Sequence, residues 1–230
     1  MRRWGIVITV FYFLILIVLL VPAACLLAAG EIPSMSDLIK GVGSALAHWL
    51  IWIPIVAVVS GQALLLFLSV DTSQQRLKPR THIRVSIIAT AMLLGLLSFA
   101  AIFSLAVGIR GDAILNVFPE SDAASQAVVL GAWAFLWLIW GIVFQIFYRD
   151  SSEWVTRATS WLLKGSVLEL LIAIPSHVIA RRREHCCAPT ITSFGIATGI
   201  AIMLLSFGPS VLFLFKKRMD ARVPRSRPAS

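Results

Sequence analysis

Five long apolar runs, Trp4 to Ala28, Ala47 to Val70, Val85 to Ile109, Ala127 to Phe147 and Thr190 to Phe215, limit what this chain can fold into. Crossing about 30 Å of hydrocarbon takes on the order of 20 helical residues, because only a helix satisfies every backbone N–H and C=O within its own segment. The remaining residues are too few and too charged to enclose a second core. Charged residues make up 13% of the chain, against about 25% in soluble domains, and the mean hydropathy is +0.90. The sequence therefore predicts an all-α integral membrane protein. Its single transmembrane domain covers residues 1–215, and a basic, disordered tail covers 216–230.

A sixth run, Trp161 to Ala180, is less apolar, since it carries Lys164, Glu169, Pro175 and His177. Charge distribution tests whether it crosses. With six spans and a cytoplasmic N-terminus, fourteen Lys and Arg residues lie inside: Arg2, Arg3, Arg76, Lys78, Arg80, Arg84, Arg149, Arg157 and six in the tail. Five lie outside: Lys40, Arg110, Arg181, Arg182 and Arg183. If the run dips in and returns, the balance falls to eleven against eight. Because cytoplasmic loops carry the excess of cations, a six-helix bundle with both termini cytoplasmic is expected in the cell membrane. A five-span version with the fifth run re-entrant is the alternative. The first run is read as an uncleaved helix, since its apolar core exceeds a signal-peptide h-region and Pro22 spoils a lipoprotein signal before Cys25.

The formal charge of +9 sits at the ends of apolar runs, where cations meet lipid headgroups. No basic surface with interleaved aromatics exists for nucleic acid. Three cysteines are too few for a disulfide framework. The outer connections, Gly30 to Ser44 and Arg110 to Gln126, are each expected to hold a short helical turn along the membrane surface. No internal repeat of the transporter kind is evident.

Several side-chain patterns stand out. Trp133, Trp137, Trp140, Phe144 and Tyr148 form one helical stripe, either a wall for a flat hydrophobic ligand or a packing face. Gln62 and Gln145 are expected to be buried amides bonded across helices. Thr192, Gly195, Gly199 and Ser206 form a small-residue ridge for a helix partner or a second copy. In the fifth run, Ser166, Glu169, Ala173, Ser176, His177 and Ala180 share one face while Lys164 points away. An intramembrane carboxyl is a functional candidate by default, so Glu169 and His177 are candidates for an ion or proton relay, His177 also reading as an interfacial residue.

Arg181 to Pro189 includes Glu184, His185, Cys186 and Cys187. Nearby arginines favour thiolate, and thiolates with an imidazole suit soft metals. His185, Cys186 and Cys187 are thus candidate metal ligands, although adjacent cysteines chelate one tetrahedral ion poorly and His48, His82 or a second subunit would have to complete the set. Phosphate-loop, zinc-protease and serine-hydrolase motifs are absent. The chain is read as a non-catalytic assembly or lipid- and hydrophobic-ligand-binding membrane component. The alternative is a soft-metal or thiol-redox protein using Glu169 and the 184–187 turn. No cofactor is assigned.

Overall fold

In the computed structural model, the described residues are 2–29, 34–70, 80–111, 113–114, 122–147, 154–183 and 188–222. All their regular elements are helical: α1 (Arg2–Ile15), a π-helical turn (Leu16–Leu20), α2 (Val21–Ala28), α3 (Met35–Ala47), α4 (Trp49–Val70), α5 (Arg80–Arg110), α6 (Asp122–Phe147), α7 (Trp154–Arg182) and α8 (Ala188–Arg222). Five of these stretches are long and apolar enough to cross a membrane: Thr9–Ala28, Arg84–Arg110, Ala123–Ile146, Arg157–Arg182 and Ala188–Phe207. A sixth is present if the bent pair Met35–Ala47 and Ile51–Leu65 counts as one. By length and composition these helices are compatible with a multi-pass membrane protein.

The π turn falls directly before Pro22. Proline lacks the N–H that would bond the carbonyl four residues back and its ring crowds that carbonyl, so the ladder must widen there. Tyr12, Leu16 and Leu20 are buried along the inner edge, and the Tyr12 hydroxyl donates to the Ala201 carbonyl of α8 at 2.6 Å.

The α3–α4 junction bends by 76°. Ser34 starts α3, its Oγ accepting from the Asp37 N–H at 3.2 Å, as N-cap residues do. At the other end the Trp52 indole donates to the Leu46 carbonyl at 2.8 Å. A group left open where α3 ends is thereby bonded from within α4. The bend lies at His48, ahead of Pro54, which α4 contains without a break. The 30–44 connection holds α3, which at 13 residues continues to Ala47, longer than the helical turn expected there, with Met35, Ile39 and Lys40 exposed along it.

At the centre, α7 lies against both α8 and α5. Glu169 faces Gly199, and His177 faces Thr192, so α7 and α8 run antiparallel. Gly165 touches Leu94 and Leu97, while Arg183 reaches the carbonyls of Gly108 and Ile109, so α5 and α7 run in the same direction. Re-entry of the fifth run would require a break, and α7 is continuous from Trp154 to Arg182. The second run meets the length and composition of a crossing only as the bent α3–α4 pair. Other expectations shift as well. The last helix continues to Arg222, past the point where a disordered tail was expected. Gln145 is exposed: it follows Phe144, which is buried, and so turns to the outer side of the peripheral helix α6. Gln62 is buried, yet its Oε1 has no hydrogen-bond partner.

The aromatic stripe packs against α5. Trp140 Nε1 donates to Ser98 Oγ at 2.9 Å, and Trp137 Nε1 to the Ile88 carbonyl at 3.3 Å. Close approach depends on Gly95, where a Cβ would lie 2.9 Å from the Trp137 backbone nitrogen. Backbone cannot yield as a flexible side chain does. Gly95→Ala is expected to cost about 1–3 kcal/mol, the usual range for overpacking, and to lower the thermal midpoint in detergent. Gly131→Ala is expected to leave that midpoint unchanged or raised, since nothing lies within 4 Å of its added Cβ.

Candidate functional site

The predicted polar face of the fifth run is a buried face of α7. Ser166, Glu169, Ala173, Ser176, His177 and Ala180 are all buried, and Lys164 is exposed. Two polar groups on this face have different surroundings. His177 Nδ1 lies 2.8 Å from Thr192 Oγ1, and that hydroxyl lies 3.1 Å and 3.2 Å from the carbonyls of Ala188 and Pro189. Which of the two donates is set by the imidazole tautomer: Nδ1–H donates when the hydroxyl proton serves a carbonyl, and a bare Nδ1 accepts when it does not. His177 is bonded inside the α7–α8 contact.

Glu169 is 1% exposed and neither carboxyl oxygen has a hydrogen-bond partner. The Ser104 hydroxyl of α5 is equally buried and also unpartnered. Both face Gly195: a Cβ there would lie 2.5 Å from Ser104 Oγ and 3.0 Å from Glu169 Oε1. At Gly199 a Cβ would fall on Glu169 Oε2. The ridge of Thr192, Gly195, Gly199 and Ser206 is therefore buried against this chain's own helices. It leaves no small-residue surface at those positions for a second copy. Ser104 was missed because one serine in an apolar run carries no sign of its neighbour.

The arginine cluster has structural partners. Arg183 donates to the carbonyls of Gly108 and Ile109 at 3.4 Å and 3.2 Å, and Arg181 donates to that of Leu27 at 2.6 Å. Cations at helix C-termini satisfy open carbonyls and complement the dipole. Glu184, His185, Cys186 and Cys187 lie outside the described residues, as does Tyr148. Among the described residues no three His, Cys, Asp or Glu side chains are grouped to hold a metal ion.

Two apolar clefts flank α4. One, about 210 Å³, lies between α2, α4 and α8 and is lined by Leu16, Leu20, Cys25, Pro54, Val58 and Ala197 among others. Its only side-chain hydroxyls belong to Thr190, Ser193 and Thr198. The second, about 260 Å³, lies on the other side of Pro54 against Leu96, Phe99 and Trp133. Only Trp133 of the aromatic stripe lines either cleft; the other described rings meet α5 or one another.

A double-mutant cycle tests the α7–α8 contact. Gly199→Ala alone is expected to lower the thermal midpoint, and combining it with Glu169→Ala to recover part of the loss, a coupling of about 0.5–3 kcal/mol. Additive losses would mean that the two positions do not meet. Comparison with known proteins returns no family model, no curated relative and no solved structure that matches this chain.

Proposed function

We propose that this chain is a non-catalytic multi-pass component of the cell membrane that seats a lipid acyl chain between its first, second and last crossings. The observation that carries the reading is the cleft between α2, α4 and α8. Its volume of about 210 Å³ falls below the roughly 300–1,000 Å³ of pockets for drug-sized ligands. That size suits one linear hydrocarbon chain better than a quinone, porphyrin or sterol ring system. The lining supports the same choice: it has no charged side chain to orient a polar ligand, and its depth runs from Cys25 and Thr190 toward Leu16 and Ala201. Lipid is the solvent that fills such a space from the side.

In this reading the α3–α4 pair supplies the second of six crossings, and both termini are cytoplasmic. The asymmetry of fourteen inner against five outer cations supports that orientation. The 184–187 turn then lies at the outer surface. Reporters fused before Met1 and after Ser230 are expected on the same, cytoplasmic side; opposite sides would remove one crossing.

The test of ligand binding is labelling with a photoactivatable fatty acid in native membranes. Label is expected on peptides from α4 and α8 and should fall several-fold in Ala197→Trp, which fills the cleft. Leu168→Trp, at an exposed position on α7, is the matched control. Equal labelling of both variants and the parent, with unchanged thermal midpoints, would defeat the proposal.

A further inference from the structure

We propose that Glu169 is a reversible proton-binding site at the junction of α5, α7 and α8, with Ser104 as its hydrogen-bonding partner in the protonated state. Among the described residues four buried side-chain oxygens have no partner, and three of them are Glu169 Oε1, Glu169 Oε2 and Ser104 Oγ. The fourth belongs to Gln62 on α4. An anion at this depth would be very costly, because a buried carboxylate without a counter-charge loses its hydration and gains nothing in return. Some ligand must therefore neutralise it.

Among the described residues, the elements around Glu169 supply no counter-charge. From α5 the facing group is Ser104, and from α8 the facing positions are Gly195 and Gly199. On α7 itself, Lys164 is exposed and His177 lies about two turns away, hydrogen-bonded with Thr192. A metal ion is the other candidate, but hard cations take six or more oxygens and the side chains here offer three. Space argues the same way, since the glycine backbones of α8 lie close enough for added Cβ atoms to collide with these oxygens. A proton needs neither room nor further ligands. It binds one carboxylate oxygen to form the neutral acid; the two groups are not hydrogen-bonded as placed, and a small shift of the flexible Glu169 side chain lets the acid donate to Ser104 Oγ while the serine hydroxyl donates elsewhere.

The consequence is a pH-sensitive helix contact. Releasing the proton leaves a full negative charge against the Gly195 and Gly199 backbone, where only separation of α7 from α8 or entry of water can hydrate it. The polar groups on the same buried face toward the end of α7, Ser176 and His177, mark the direction in which water or the proton would travel.

Infrared spectroscopy of the full chain in neutral phospholipid vesicles tests this site independently of acyl-chain binding. One C=O band of an unionised carboxylic acid is expected at neutral pH, lost on alkaline titration, absent from Glu169→Gln and indifferent to replacing sodium by choline. Ser104→Ala should shift the band, which serves as the second reading if Glu169→Gln does not fold. No acid band at neutral pH, or a band that appears only when sodium is removed, would overturn the assignment. The second outcome would identify a cation site.

Discussion

The contact between α7 and α8 organises the rest of this molecule, and it exists because two glycines let a glutamate lie against helix backbone. In water such a contact would be assisted by the hydrophobic effect. In lipid, tails are as apolar as leucine, so association relies on close packing and on polar groups that find each other. Gly195 and Gly199 provide the first; His177 with Thr192 provides the second. α5 joins through Ser104 and through its packing on Gly165. Helices α1, α2, α4 and α6 then lie around this central group of three.

The end of the bundle where α7 stops is held by charge. Arg181 and Arg183 satisfy carbonyls at the ends of α2 and α5, so three helix termini are joined by two side chains. This gives the arginine cluster a structural purpose whatever the adjacent cysteines do. By contrast, α4 is bordered by two clefts and is joined to α3 through a bend closed by Trp52. The molecule thus combines a tightly packed centre with a looser flank, and the proposed ligand site lies in the flank.

Much of this was legible from residue spacing. A helix has one angular period, and burying Glu169 and His177 is tolerable only toward a bundle, so the inner face of α7 followed from position alone. The small-residue ridge was legible for the same reason, although its partner was not: spacing says that a neighbour comes close, not whose helix it is. Gln145 shows the limit. A lone amide was assumed to point inward, but α6 is peripheral and spends its packing face on tryptophans, leaving the glutamine outside. The bend at His48 falls where the second apolar run was expected to begin, but the tryptophan of the following helix that bonds across it leaves no local sign. Ser104 and the arginine caps are long-range pairings and leave no local trace.

The first helix finds two of its bonding partners very late in the chain: Tyr12 in Ala201, and Leu27 in Arg181. In the proposed membrane arrangement the ribosome delivers the chain in order, so this helix would stay in lipid without either bond while most of the protein is still being made. It is the most apolar of the candidate crossings, and α7, which can insert beside an α5 already in place, is the least. The gradient matches the waiting time, with self-sufficiency needed early and companionship needed late.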